Sequence, residues 1–211
     1  MNECIIRPYR AGDEAGANHV CVKTGDHGKD GEAYYREDPD ALGRIFVEPY
    51  LAFEPELSLI LEDPDGICGY ALGTSDSHAF FHRYETEWRP RLCARFPAPA
   101  GDPGSWSRVQ AVYHGYHNPD YYCPEPYAEY PAHLHIDLLD RAQGRGYGRR
   151  MMLQVMDELR RRGSPGAHLG VSILNKPAPG FYQKLGFREL IRVGTDTDGC
   201  IYMGLSFRAS P

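Results

Sequence analysis

Three polar side chains alternate along one apolar stretch and carry groups suited to proton transfer. In Ala132–Leu139, AHLHIDLL, every second position is polar: His133, His135 and Asp137. This alternation is typical of a β-strand, so the three side chains should share one face. An imidazole titrates near neutral pH, and burial can raise the pKa of a carboxyl group into that range. His135 and Asp137 are therefore candidate general bases, and His133 lies two residues earlier in the strand. The alternative is that each is an ordinary hydrogen-bonded core residue.

A glycine-rich turn follows this strand and leads into an amphipathic helix. Gln143-x-x-Gly146-x-Gly148 precedes apolar residues at helical spacing, and Gly163 offers a left-handed stop after three arginines. Backbone N–H groups at such a turn, together with the helix dipole, favour binding of a phosphate. The turn alone is a weak signal, because it matches neither a Walker loop nor a dinucleotide-binding fingerprint.

A second motif lies downstream, after a run typical of a buried strand. Its spacing is Asn175-x-x-Ala178-x-x-x-Tyr182-x-x-x-Gly186-Phe187. With the glycine-rich turn, in this order, the chain resembles the GNAT superfamily of acyl-CoA-dependent N-acyltransferases. In that family the first motif grips the coenzyme A pyrophosphate. The second holds the pantetheine arm and places a tyrosine at the thiolate.

The resemblance, which covers most of the chain, implies an α/β fold with a mixed, mostly antiparallel sheet of about seven strands, splayed at the cofactor. It implies acetyl-CoA as co-substrate and direct transfer of an acetyl group to an amine of a small molecule or peptide. Tyr182 would protonate the thiolate, and the backbone N–H of Leu138 or Leu139 would polarise the thioester carbonyl. The implied cofactor-binding residues are Leu138, Leu139, Gln143, Gly144, Arg145, Gly146, Tyr147, Gly148, Arg149, Asn175, Ala178, Phe181 and Tyr182.

The first third of the chain supplies elements that could wall the site. The predicted elements are a strand at 4–10, a helix at 14–22, a polar loop or lid at 25–31, a helix at about 39–49, and a hairpin at 57–73 that turns at Pro64-Asp65-Gly66. In the family the early helices flank the acceptor groove. Tyr34, Tyr35 and Phe46 are therefore candidates for lining it, with ordinary core or surface positions as the alternative.

Residues 77–130 form an insertion that a minimal GNAT domain lacks. Residues 79–96 and 106–115 have helical apolar spacing, whereas 115–130 is rich in proline and tyrosine. A long aromatic loop in a compact domain is usually functional or an interface. With the strand that follows it, the insertion resembles the acetyltransferase-like C-terminal domain of O-GlcNAcase and its bacterial relatives. The prediction is one acetyltransferase domain, 1–211, with this insertion.

The narrower resemblance also leaves an alternative function open. The eukaryotic domains of that group lack the pyrophosphate loop, whereas Gln143, Gly146 and Gly148 are intact here. Acetyl-CoA binding is therefore expected, but catalysis does not follow from it. The alternative is a catalytically silent acetyl-CoA-binding module that recognises a partner through the aromatic insertion.

Composition narrows the classes of partner. A net charge of −6 over 211 residues argues against nucleic-acid binding. Neither a long apolar span nor a signal peptide is evident, so no membrane partner and a cytoplasmic location are predicted. The acidic residues of the aromatic loop would attract a cationic amine, or they are simply solvated. The insertion and the last strand, 200–207, suggest a homodimer.

The chain has six cysteines and nine histidines, residue types that can bind a metal ion. The six cysteines are scattered without a Cys-x-x-Cys pair, which favours free thiols in a reducing compartment. A zinc site is an alternative for the crowded set of His114, His117, Cys123, His133 and His135. Because their spacing matches no closed zinc module, no metal is predicted.

Overall fold

The computed structural model describes residues 3–125 and 127–208 and is built around one twisted sheet. Seven strands lie in the order β1-β2-β3-β4-β5-β7-β6. All neighbours are antiparallel except β4 and β5, so the predicted mixed, mostly antiparallel sheet is confirmed. The strands are β1 (Ile5–Pro8), β2 (Leu59–Asp63), β3 (Gly66–Thr74), β4 (Ala132–Leu138), β5 (Gly166–Ser172), β6 (Arg188–Gly194) and β7 (Gly199–Ser206).

Helices pack on both faces of the sheet. They are α1 (Glu14–Lys23), α2 (Gly43–Phe46), α3 (Glu48–Phe53), α4 (Ser77–Arg83), α5 (Arg89–Arg95), α6 (Arg108–His117), α7 (Tyr147–Arg161) and α8 (Ala178–Lys184). The predicted apolar stripe of α7 is buried, and Gly163 follows the helix with a φ of 83°. Within 3–125 and 127–208, no helix has the length and apolarity needed to span a bilayer.

The single helix predicted at about 39–49 is replaced by two short ones. α2 ends at Phe46 and α3 begins at Glu48, with Val47 between them at φ −127° and ψ −64°. Pro49 explains the break, because proline lacks the N–H that a continuing helix needs but suits the first turn of a new one. The predicted hairpin at 57–73 is confirmed as β2 and β3, with Gly66 at a φ of 108°.

The described residues of 77–130 are mainly helical and contribute to a second, smaller core. α4 and α5 are joined by a π-helical turn, Tyr84–Trp88, just before Pro90, which cannot donate a helical hydrogen bond. Tyr84, Leu92 and Tyr116 form a buried cluster between α5, α6 and this turn. The two predicted helical stretches are thus confirmed.

The sheet splays open between β4 and β5. The two strands pair only at Ala132 with Ala167 and at His133 with His168, although both continue for several residues. A gap therefore opens at the carboxyl ends of the two strands, which confirms the predicted splay.

The last strand has no free edge. β7 lies between β5 and β6, so it cannot pair with a strand of a second molecule. The homodimer suggested by the insertion and this strand stays a prediction. The edges of the sheet are β1 and β6 instead.

Candidate functional site

A cleft of about 440 Å³ occupies the gap between β4 and β5. It is lined by the end of β4, the glycine-rich turn, the start of α7 and the Asn175–Tyr182 segment, with Thr24 and Gly28 on another side. Of the predicted catalytic residues, Asp137 and Tyr182 line it, and His135 does not. Ten of the predicted cofactor-binding residues line it: Leu138, Gln143, Gly144, Gly146, Gly148, Arg149, Asn175, Ala178, Phe181 and Tyr182.

The glycine-rich turn has a backbone conformation suited to binding an anion, and the turn with the first N–H groups of α7 is called the anion cradle below. Gly144 and Gly146 have φ values of 69° and 78°, in the left-handed region that favours glycine. A β-carbon built on either residue would meet no atom within 4 Å, so the backbone faces open space. Gly146 immediately precedes α7, whose first N–H groups and dipole face the cleft together with the cation of Arg149.

Three predicted cofactor-binding residues do not line the cleft. Leu139 is buried, and its N–H donates to the carbonyl of Cys68 at 2.9 Å. Tyr147 is also buried, and its hydroxyl accepts the N–H of Cys4 at 3.1 Å. Arg145 points away from the cleft, with Nη1 3.5 Å from the Cys4 sulfur. For these three the cofactor contact stays a prediction, and their described polar groups join the glycine-rich turn to the start of β1 or to β3.

Of the two backbone N–H groups predicted to polarise the thioester carbonyl, Leu138 and Leu139, the strand pairing favours that of Leu138. Antiparallel neighbours alternate between hydrogen-bonded and non-hydrogen-bonded pairs. Since Leu139 bonds to Cys68, Leu138, opposite Gly69, has its N–H and C=O directed away from β3 and into the gap. Its carbonyl accepts the Gln143 side-chain amide at 2.8 Å, which ties the turn to the end of the strand.

The glycine-rich loop at 25–31 packs on the second motif. A β-carbon added at Gly28 would lie 2.6 Å from Nδ2 of Asn175. Next to it, Nδ1 of His27 is 2.8 Å from Oγ of Ser172, at the end of β5. The loop thus forms one wall of the cleft. The sequence predicted these residues only as a loop or lid.

Tyr182 lies where a proton donor to the cofactor sulfur is expected. It is buried in the cleft wall beside Phe181 and Phe187. Burial, together with the negative charge of Asp137, raises the pKa of Tyr182 above its ordinary value. The phenol is therefore protonated at neutral pH, as a general acid must be.

A buried tyrosine that sequence analysis did not identify joins the two candidate bases. Tyr70 of β3 lies opposite Asp137 in the sheet, and its hydroxyl donates to Oδ2 of Asp137 at 2.5 Å. Nε2 of His135 lies 3.1 Å from that hydroxyl and 3.2 Å from the same carboxylate oxygen. Because the hydroxyl has one proton, His135 must donate to it. Burial, followed by the charge of Asp137, raises the pKa of Tyr70 well above its ordinary value.

His133 belongs to the core and not to the cleft. Its Nε2 is 2.7 Å from the Tyr50 hydroxyl, and its Nδ1 is 2.7 Å from Oγ of Ser77. Ser77 donates its only proton to the carbonyl of Pro131, so Nδ1 of His133 is the donor to Ser77. Burial and the nearby His168 and His135 hold its pKa well below the ordinary histidine value. Burial also lowers the pKa of His168.

We expect the free energy of unfolding to fall as the pH drops below about 6.5, the ordinary histidine pKa. Above that pH neither state is protonated at His133 or His168. Below it the unfolded chain takes up protons that the folded chain resists, which costs up to about 1.4 kcal/mol per pH unit for each histidine. Urea unfolding between about pH 7.5 and pH 5 measures the slope. His133→Gln should reduce it, and His82→Gln, at an exposed position, should not; an unchanged slope in His133→Gln contradicts the account.

Two of the three aromatic residues proposed for the acceptor groove are exposed. Tyr34 and Phe46 are 50% and 44% exposed, and the Phe46 ring stacks on His135 with centroids 6.0 Å apart. Tyr35 is 5% exposed and lies in the main core, which agrees with the alternative of an ordinary core position. Phe46 thus extends the Asp137–Tyr70–His135 group toward solvent.

The histidines considered as zinc ligands are not gathered into one site. His117 bonds to the carbonyl of Phe96 at 2.8 Å, whereas His114 lies against Trp106. His133 uses both ring nitrogens in the core. In the parts of the chain that the structure describes, these side chains do not form a ligand cluster.

Comparison with known proteins identifies the family. A sequence model described as the Acetyltransferase (GNAT) family matches residues 110–187. The crystal structure of SsHAT superposes with a TM-score of 0.83 and 37% sequence identity, covering 98% of this chain and 100% of SsHAT. This chain belongs to the GNAT acetyltransferase family.

A curated relative and a further solved structure also match the chain. The mouse (Mus musculus) protein O-GlcNAcase is 30% identical over 203 residues. That match covers 95% of this chain and 22% of O-GlcNAcase, so the chain spans about a fifth of the length of the curated relatives it matches. The structure of yncA from Salmonella typhimurium, solved with its cofactor acetyl-CoA, has a TM-score of 0.56 at 16% identity, covering 99% of this chain and 97% of yncA. At that identity it supports the GNAT fold alone.

Proposed function

We propose that this protein is an acetyl-CoA-dependent N-acetyltransferase that acts on an amine of a small molecule or peptide. The observation that supports it best is a single cleft between β4 and β5 in which an anion cradle, Asp137 and Tyr182 meet. Acetyl-CoA would supply the acetyl thioester. We also propose that the chain is one acetyltransferase domain, with 77–130 as an insertion.

Successive parts of the cleft wall suit the pyrophosphate, the pantetheine arm and the thioester of acetyl-CoA. The turn at Gly144–Gly148 and the start of α7 would bind the pyrophosphate through backbone N–H groups, with Arg149 as the adjacent cation. Farther in, Ala178 and Phe181 offer an apolar wall for the pantetheine arm. At the end of β4, the N–H of Leu138 would donate to the thioester carbonyl.

Asp137 is the residue we propose as general base. It lines the cleft, whereas His135 does not, and the Tyr70 hydroxyl donates to its Oδ2, with Nε2 of His135 3.2 Å from the same oxygen. Oδ1 would then take the proton from the amine, directly or through a water. His135 and Tyr70 would hold the carboxylate in place. Direct attack fits the cleft, because its described lining includes neither cysteine nor serine and Thr24 donates its hydroxyl to the α1 backbone.

The experiment that tests cofactor binding is calorimetry on the native protein with two ligands. Acetyl-CoA should bind, and S-acetyl-N-acetylcysteamine, which has the thioester arm without the pyrophosphate, should bind at least about 100-fold more weakly. Equal affinities would place binding away from the glycine-rich turn. Failure of the native protein to bind acetyl-CoA would overturn the proposal.

Tyr182→Phe should lower the rate of acetyl transfer about 10- to 100-fold while acetyl-CoA affinity changes little. The expected loss of rate lies at or below the low end of the range for general acid catalysis, because a thiolate is a good leaving group that needs little help from a proton donor. Stopped-flow measurement of CoA release gives the rate. Tyr84→Phe is the matched control, since burial also raises the pKa of this insertion tyrosine. Equal rates in Tyr182→Phe and the native protein would exclude the tyrosine as the acid.

A further inference from the structure

Two cysteines and an aspartate meet on three neighbouring strands, close to the glycine-rich turn. Cys4 precedes β1 and, by the register of Ile5 with Glu62, stands opposite Asp63 at the end of β2. Cys68 is the extra residue of a β-bulge in β3, between the pairs formed by Ile67 and Gly69. One ligand atom from each of Cys4, Asp63 and Cys68 lies within 4.8 Å of the others.

We propose that Cys4, Asp63 and Cys68 form a binding site for a thiophilic divalent cation, for which Zn²⁺ is the natural probe. Two thiolates and a carboxylate are ligands that zinc accepts in tetrahedral geometry. Zinc–ligand lengths of about 2.0–2.3 Å place such ligand atoms roughly 3.3–3.8 Å apart, so side-chain movements of about 1 Å complete the set. The fourth position is left for water. The proposal is independent of acetyl transfer.

The surroundings of the set resemble those of a metal site more than those of ordinary core thiols. Cys4 and Cys68 are 5% and 0% exposed, and the Asp63 side chain is 7% exposed. Asp63 is already oriented by Nε of Arg141 at 2.8 Å and by the N–H of Asp65 at 3.0 Å. A carboxylate can keep such outer partners while it binds a metal, and they commonly fix its orientation.

The geometry of Cys4 and Cys68 suits a metal ion better than a disulfide bond. Cys4 and Cys68 belong to strands on opposite sides of β2. Two strand spacings amount to about 9.6 Å, whereas disulfides need α-carbons within about 6.8 Å. A metal ion bridges the larger separation, because its bonds add to the reach of both side chains.

Both cysteines of the proposed metal site contact residues next to the glycine-rich turn. The Cys4 sulfur lies 3.5 Å from Arg145, and the Cys4 N–H donates to Tyr147. The carbonyl of Cys68 accepts the N–H of Leu139. Metal binding would therefore brace the backbone on both sides of the glycine-rich turn.

Cobalt titration of the reduced and chelator-treated protein tests the proposal. One equivalent of Co²⁺ should give a near-ultraviolet sulfur-to-cobalt charge-transfer band that Zn²⁺ abolishes. Cys4→Ser and Cys68→Ser should each weaken or remove the band. Cys93→Ser should retain it, because that half-buried cysteine bonds to Tyr116 in the insertion. Absence of the band, or its full retention in both Cys4→Ser and Cys68→Ser, would overturn the proposal.

X-ray absorption of the zinc-loaded native protein provides a second test that needs no variant. The proposal requires two sulfur neighbours at about 2.3 Å and oxygen or nitrogen neighbours at about 2.0 Å. A shell of nitrogen and oxygen alone would contradict it, whether or not the cysteine variants fold.

Discussion

Gly146→Trp is expected to raise the dissociation constant for acetyl-CoA at least about 100-fold. Gly146 has a φ of 78°, and a side chain there would project into the open space of the cradle. The indole would exclude the pyrophosphate from the first N–H groups of α7, which removes two or more hydrogen bonds to a charged group, each worth about 1.5–3 kcal/mol. Calorimetry of the variant measures the loss.

Gly163→Trp is the matched control at the other end of the same helix. Its φ is 83°, and a β-carbon there would also meet nothing within 4 Å. Both substitutions therefore impose a similar backbone strain of about 1–2 kcal/mol, but only the first obstructs the cleft. Acetyl-CoA affinity in Gly163→Trp should stay within about threefold of the native value. Equal losses in the two variants would mean that strain in α7, and not a blocked cradle, caused the effect.

Asp137→Asn is expected to lower the rate of acetyl transfer about 10²- to 10⁴-fold, with acetyl-CoA affinity nearly unchanged. An amide cannot take the proton from the attacking amine, but it fills the same volume and still accepts the Tyr70 hydroxyl. Single-turnover rates and calorimetry separate the two quantities. Asp157→Asn, on the exposed side of α7 where the carboxylate pairs with Arg160, is the control.

A second substitution distinguishes the base from the residue that positions it. Tyr70→Phe leaves the Asp137 carboxylate in place but removes the 2.5 Å hydrogen bond to it, so a loss of about tenfold is expected. A loss in Tyr70→Phe as large as that in Asp137→Asn would show that the tyrosine hydroxyl itself takes part in proton transfer. Full activity in Asp137→Asn would exclude Asp137 as the base and leave His135 as the remaining candidate.

Local patterns explain why much of the site could be predicted from the sequence. The α7 stripe repeats with helical period, and β4 alternates with period two, so each element and its buried face follow from neighbouring residues. The left-handed glycines of the turn are likewise a local requirement. The resemblance to the GNAT family then implied how these elements combine around a splayed sheet.

The residues that were missed or misplaced depend on contacts between distant parts of the chain. Tyr70 reaches Asp137 across 67 positions, through the register of β3 with β4, and a shift of one residue would turn it to the other face. The same register decides that Leu139 bonds to β3 whereas Leu138 faces the gap. Tyr35 and Tyr34 are adjacent in sequence, yet only the first is buried. Sequence periodicity contains no information on any of these pairings.

Acetyl transfer itself provides the most direct test of the proposed function. The native protein would be incubated with isotopically labelled acetyl-CoA and a panel of amines that includes polyamines, amino sugars and lysine- and amino-terminal peptides, with products analysed by mass spectrometry. We predict labelled amide on at least one class of amine, together with free coenzyme A, and about 10²- to 10⁴-fold slower formation of both products with Asp137→Asn. Acetyl-CoA that binds tightly but remains intact with every amine would contradict catalysis and identify the protein as a silent cofactor-binding module.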